Sequence, residues 1–235
     1  MDSPILVDLP AAGQDGYHRV MDAPWEHPDW YDLHDTTWTA GSEREPEHYR
    51  ELLLALPPLD REDHLVDVGA GTGKLAALIA RGYPRLGRVT LVEPNADKLA
   101  RATASLREIL PGSALEPLAH AVGEGRASGV AGATVATVGS VFMPTLELHG
   151  GLLADGLRWL RASLGEVRAM LRPGGWFFAL ETLAAPWAGG RLDEPARRLT
   201  MGELCAELAP AGFEAVECVY RVRDRVTLRA RRPAP

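Results

Sequence analysis

Apolar positions along the chain follow two rhythms. Leu65–Val68, Arg88–Val92, Val135–Phe142 and Trp176–Glu181 are short apolar or β-branched runs, and their length and character predict buried strands of a parallel sheet. Between them the apolar residues recur at helical spacing. Leu75, Leu78 and Ile79 share one face of a helix opening at Lys74, and Ala96–Ile109 predicts a helix ended by Pro111-Gly112. Leu153, Leu157, Leu160, Leu164, Val167 and Leu171 repeat at steps of 4, 3, 4, 3 and 4, an apolar stripe along one long helix. Ser42 and Glu45 have capping-box spacing, and Pro46 suits the first turn of a helix that Pro57-Pro58 stops after Leu56. Thr200 and Glu203 form a second such box, opening a helix closed by Gly212. Ala114–Val122 is a poorer strand because it contains Pro117. Glu214–Arg221 and Arg225–Arg231 read as two strands around Arg223-Asp224.

The chemistry concentrates where the first strand meets its helix, His64-LVDVGAGTGKLAALI-Ala80. Gly69, Gly71 and Gly73 force a tight turn, since glycine alone takes positive φ freely and lets another group approach the backbone. A strand, a glycine turn and a helix N-terminus together suit the polar end of a nucleotide-like ligand. A phosphate-binding P-loop is excluded: Val68 stands where its first glycine should be, and Leu75 follows Lys74 in place of Ser or Thr. A dinucleotide fold wants GxGxxG, whereas the spacing here is GxGxG with Lys74 at the third glycine position.

A second feature falls in register with the turn. The strand Arg88–Val92 ends in Glu93-Pro94-Asn95. An acidic residue there, about 20 residues past the glycines, can accept from both hydroxyls of a ribose. Asp67-Val-Gly-Ala-Gly-Thr-Gly73 followed by Glu93 resembles the cofactor motifs of the class I S-adenosylmethionine (SAM) methyltransferases, and the helix–Leu171-Arg-Pro-Gly-Gly175–strand junction is also widespread there. The resemblance runs from Pro46 to the end. It implies an α/β fold, a Rossmann-like doubly wound sheet of seven mostly parallel strands with an antiparallel last strand. The implied cofactor is SAM, leaving as S-adenosylhomocysteine. Gly69, Ala70 and Gly71 would lie along its methionine part, Glu93 on the ribose, Pro94 and Asn95 against the adenine, and Ser140 and Val141 beneath the sulfonium region, with Asp67 also among the cofactor-site residues. Gly123-Glu124-Gly125 stands where the family often carries Gly-Asp-Ala, whose acid touches the adenine amino group, so Glu124 is the loose counterpart. Val135-Ala136 replaces the family's usual Phe-Asp.

The acceptor is narrowed by what is missing. The segment after the fourth strand has no Asn-Pro-Pro-Tyr, which the resembling DNA-adenine and protein-glutamine enzymes use to hold a planar amine. There is no Pro-Cys and no Lys-Asp-Lys-Glu tetrad; the chain's lysines are Lys74 and Lys98. Small-molecule acceptors of O, N or C methylation, in bacterial secondary or specialised metabolism, remain in front. An enzyme of the same fold catalysing cyclisation or another non-methylating step is the alternative, followed by a non-catalytic partner protein. His149 has the chemistry of a general base, and equally the position of a helix-cap or surface histidine. Residues 1–45, with Trp25, Trp30, Tyr31, His34 and Trp38 and no sustained periodicity, are either an irregular segment pinned by its aromatics or a lid over the acceptor. Residues 46–235 form the SAM-binding domain on this reading. Tyr31, His34, Trp38, Met143 and Trp187 would bound the acceptor pocket.

Composition changes little. At 235 residues and 46% hydrophobic content the chain can bury one full core, and its mean hydropathy of −0.10 is that of an ordinary globule. No basic n-region precedes the first apolar patch and no apolar run approaches membrane length, so a cytoplasmic protein is expected, without a membrane partner. Cys205 and Cys218 are too few for a disulfide framework or zinc site, and no metal is expected. Residues 1–50 hold eleven Asp and Glu against three Arg, while the whole chain carries −7. That acidic balance argues against nucleic acid, which needs a basic stripe. The C-terminal arginines alternate with Val222, Val226 and Leu228, as on the outer face of a hairpin. A monomer or homodimer is expected.

Overall fold

A computed structural model describes residues 45–124, 129–184 and 191–235. Within these, α1 (Glu45–Ala55), β1 (His64–Val68), α2 (Lys74–Gly82), β2 (Arg88–Val92), α3 (Ala96–Ile109) and β3 (Ala114–Leu118) come first. Then follow β4 (Ala133–Gly139), α4 (Phe142–Leu148), α5 (Ala154–Met170), β5 (Leu171–Thr182), α6 (Met201–Leu208), β6 (Glu214–Val222) and β7 (Arg225–Arg231). Ser42 and the rest of residues 1–44, including the expected lid, lie outside the described residues.

The strands make one seven-stranded sheet in the order β3-β2-β1-β4-β5-β7-β6. Pairing is parallel from β3 through β5, and β7 runs antiparallel to both β5 and β6. This is the doubly wound α/β sheet expected from the sequence. Neighbouring residues on each central strand enter opposite layers. Leu65, Val135 and Phe178 pack with Leu52, Ile79 and Leu106 under α1–α3. Val66, Ala136 and Phe177 pack with Phe142, Leu160 and Leu164 under α4–α6. A strand covered on both faces is mostly apolar, and the polar side chains that β1 and β4 do bury, such as Asp67 and Thr137, are hydrogen-bonded to each other. The chain winds outward through β1, β2 and β3, then returns to place β4 beside β1. The C-terminal ends of β1 and β4 therefore flank the switch point of the sheet, where a ligand crevice forms.

Several boundaries differ from the sequence expectation. β3 stops at Leu118 and tolerates Pro117 because it is an edge strand bonded to β2 alone. β4 ends at Gly139 instead of running to Phe142, because Ser140 turns to φ 54° and α4 starts two residues on. β5 begins at Leu171, before Trp176; Gly174 at φ 75° and a register shift opposite Ala133–Val135 absorb the Pro-Gly-Gly junction. The capping box that opens α6 is as expected, with both the Thr200 and Glu203 halves made, whereas the helix ends at Leu208, short of Gly212.

Candidate functional site

The glycine turn is held by its own backbone. The N–H groups of Gly69 and Ala70 both donate to the Val92 carbonyl at 2.7 and 3.1 Å, and that of Gly73 to Ala70 O at 2.8 Å. The Gly71 N–H donates to Glu93 Oε2 at 2.9 Å. These four donors are spent within the protein, so they do not form a phosphate nest. Each glycine is required for a different reason. A Cβ at Gly69 would lie 2.2 Å from Val141 Cγ2, and one at Gly73 would lie 2.8 Å from Ala102 Cβ on α3. Gly71 has φ 53° and nothing within 4 Å of a built Cβ. The middle of the turn therefore opens onto free space, while its two ends are packed.

Glu93 closes β2 and is 6% exposed. Besides Gly71, it accepts from the Asn95 N–H through Oε1 at 3.0 Å. A carboxylate has about four lone-pair sites, so each oxygen keeps one. A buried acid bracing the open glycine while retaining an acceptor site on each oxygen fits a vicinal diol in that space. Pro94 beside it is exposed. The Asn95 side chain serves the protein itself: its Oδ1 caps α3 through the N–H groups of Asp97 and Lys98, both at 3.1 Å. Asp67 lies one layer below, 2% exposed, accepting from Thr137 Oγ1 at 2.7 Å. Burial pushes its carboxyl up to about 7, against the Thr137 and backbone hydrogen bonds and with the Glu93 charge adding to the rise. It supports the turn from within the sheet.

On the far side, the loop after β3 is clamped to α5. Glu166 pairs with His120 Nε2 at 2.5 Å and accepts from the Gly123 N–H at 3.0 Å, while Trp159 Nε1 donates to Val122 O at 3.2 Å. Glu124 follows, exposed. His149 is exposed and stacks on Trp159, centroids 5.2 Å apart at 16°. Eight residues of chain at about 1.5 Å rise each carry it some 12 Å from Val141, so the stacking accounts for its place. Met143 is fully buried in the core layer under α5, so it does not line the mouth. Ser140 and Val141 are half-buried at the C-terminal end of β4, next to the glycine turn. Tyr31, His34, Trp38 and Trp187 lie outside the described residues.

Two groups were not singled out from the sequence. Glu181, next to last in β5, is 2% exposed and accepts from the N–H groups of Val141, Phe142 and Met143. An acid at the end of an apolar run is the same signal that marked Glu93. Beside it runs a small cleft lined by His48 and Tyr49 of α1 with Ser140, Glu181, Thr182 and Arg225. His48 is set there by Thr227 Oγ1 at 3.2 Å and by edge contact with Tyr220 at 4.8 Å. Nothing local in Glu47-His-Tyr49 signals this, because the contact spans 179 residues of sequence.

The comparisons agree with this geometry at the level of the fold. No family model matches the chain. A release factor glutamine methyltransferase from Koribacter versatilis (strain Ellin345) is 30% identical over 146 residues, 57% of this chain and 51% of that protein. The chain thus spans about half the length of that curated relative. The SAM-dependent methyltransferase SibL, in its apo form, superposes with a TM-score of 0.61 at 18% identity, covering 87% of this chain and 58% of SibL. The [4+2]-cyclase SpnF superposes with a TM-score of 0.55 at 18% identity, covering 79% of this chain and 80% of SpnF. The chain has the class I SAM-dependent methyltransferase fold.

Proposed function

We propose that this protein is a SAM-dependent methyltransferase acting on O, N or C of a small molecule, in bacterial specialised metabolism. One observation carries the reading: Glu93, buried at the end of β2, is locked to Gly71 beneath open space and keeps an acceptor site on each oxygen. On this reading Glu93 takes both ribose hydroxyls, and Gly69, Ala70 and Gly71 lie along the methionine part. Pro94, Asn95 and Glu124 border the adenine, with Glu166 and Trp159 holding the loop that carries Glu124. Ser140 and Val141 lie beneath the sulfonium. Bound SAM supplies an activated methyl group on a thioether leaving group.

The chain's task is then alignment, because a leaving group already activated needs no protonation and orientation supplies much of the barrier reduction. On this reading the acceptor enters from the cleft between α1 and the ends of β4 and β5. His149 needs no role in the transfer itself. The segment after β4 reads Ser140-Val-Phe-Met143 instead of Asn-Pro-Pro-Tyr, which argues against a protein-glutamine acceptor despite the curated relative's name.

A second reading, a non-methylating step such as cyclisation on the same fold, draws support from the likeness to SpnF. Calorimetric titration with SAM, S-adenosylhomocysteine and NAD in parallel tests the proposal. Micromolar binding of the first two and none of NAD is expected, and binding of NAD alone would overturn it. Turnover of SAM to S-adenosylhomocysteine across an acceptor panel then separates methyl transfer from the cyclase reading.

A further inference from the structure

Glu181 sits between the two halves of the site. Its Oε1 accepts from the N–H groups of Val141 and Phe142 at 3.1 and 2.8 Å, and its Oε2 from Met143 at 3.2 Å. These are amides at the start of α4, which have no partner inside the helix. The segment they belong to is bent hard against the sheet: Ser140 takes φ 54° and donates its N–H to Leu180 O at 2.7 Å. Val141, thus held, presses on the cofactor turn, with its Cγ2 only 2.2 Å from where a Cβ on Gly69 would stand. The other side of Glu181 faces the cleft formed with His48, Tyr49 and Arg225. A continuous set of contacts therefore runs from cleft to glycine turn through one carboxylate.

We infer that Glu181 is a positioning residue for cofactor binding: by holding the amides of Val141–Met143 it sets Val141 against Gly69 and so shapes the floor of the methionine subsite. The inference rests on the methyltransferase reading for the identity of the ligand. A seven-residue helix would be capped adequately by a neutral Ser or Asn. A buried carboxylate is a costly alternative unless its hydrogen bonds are all made. What it adds is three simultaneous acceptances, which hold a strained segment that one hydroxyl could not span. Burial pushes the Glu181 carboxyl up to about 7, opposed by the Phe142, Met143 and Val141 amides and then by the Arg198 charge. The titratable or charged groups around it are His48 and Tyr49 on α1, Arg225 on β7, and Arg198, whose Nε pairs with Glu147 of α4 at 2.9 Å. Protonation would occupy the one lone pair of Oε2 that no amide uses and remove the charge that strengthens all three hydrogen bonds, loosening the α4 entry near neutral pH.

Glu181→Gln imitates that protonated state permanently. S-adenosylhomocysteine is titrated calorimetrically into wild type and variant from pH 6 to pH 8, with a thermal melt of each. Wild-type affinity should fall as the pH drops through 7. The variant should remain folded, bind about tenfold more weakly than wild type at pH 8, for one charge-assisted hydrogen bond lost, and show a shallower pH profile, keeping only what Asp67 beneath the glycine turn contributes. A folded variant with wild-type affinity and profile overturns the inference. So does a pH dependence that survives undiminished in the variant, since it would belong wholly to Asp67 or another neighbour. Should the glutamine variant not fold, Glu181→Asp carries the same test: it keeps the charge but cannot reach all three amides, and unchanged affinity there is equally fatal. Failure of wild type itself to bind S-adenosylhomocysteine is a different result, and removes the cofactor reading beneath the inference.

Discussion

Replacing Glu93 by alanine separates its two jobs. In the structure the carboxylate makes two protein hydrogen bonds, to the Gly71 N–H at 2.9 Å and the Asn95 N–H at 3.0 Å. Its two remaining lone-pair sites are those assigned to the ribose. Loss of the ribose contacts, as hydrogen bonds to a charged acceptor, should cost about 1.5–3 kcal/mol of binding, roughly 10- to 150-fold in affinity for S-adenosylhomocysteine. Loss of the protein contacts orphans two partly buried amides at about 1–3 kcal/mol of stability. For a chain of this length that lowers the melting temperature by about 2–4 °C per kcal/mol. Glu93→Gln should fall between: it keeps one carbonyl acceptor but turns an amide donor towards Gly71 or Asn95. Calorimetry at a temperature where all three proteins are folded, with a melt of each, reads both effects. An alanine variant that is folded and binds within twofold of wild type would refute the ribose assignment, whatever its stability.

Three further outcomes follow from the geometry. Gly69→Ala meets Val141 Cγ2 at 2.2 Å and sits at φ 66°, whereas Gly71→Ala meets only its φ of 53°. In urea melts the first should lose about 2–5 kcal/mol and the second about 1–2, with Val141→Ala restoring part of the first loss; equal losses would contradict the packing argument. The folded pKa of Asp67, about 7, stands above its ordinary 3.8, so the stability it contributes below that lower value is lost as pH rises towards 7. Glu181 acts in the same direction between 4.5 and about 7, while His64, lowered from 6.5 to about 4, contributes stability above 6.5 that is lost as pH falls. Asp67→Asn should therefore gain on wild type progressively between pH 4 and 7, and parallel stability curves would count against the raised carboxyl. His149→Ala should leave S-adenosylhomocysteine affinity unchanged and cost about 0.5–1.5 kcal/mol for the lost stacking on Trp159; a collapse of turnover on an identified acceptor would restore it as a base.

Much of the cofactor side was legible because its determinants are local. The glycine turn joins consecutive elements, and Glu93 stands at the end of the very next strand, so spacing alone brings them into register. The acceptor side was not legible in this way. His48 meets Thr227 across the whole chain, and the acid at Glu181 reaches the amides of a helix that starts 39 residues earlier. Met143 shows the converse error. Position after β4 suggested the mouth of the site, but the turn at Ser140 sends that side chain into the core.

By itself, then, the chain's pattern determined the seven strands, every described helix except α4, and the glycine turn with its acid. Each of these is set by periodicity or by backbone freedom within a few residues. Only the tertiary structure decided what surrounds them: that Gly69 is needed for Val141, that the turn's amides are already spent, and that Glu181 ties the cleft to the cofactor turn. Those contacts join residues far apart in sequence, and their side chains meet only because β4 returns beside β1 and β5 beside β4.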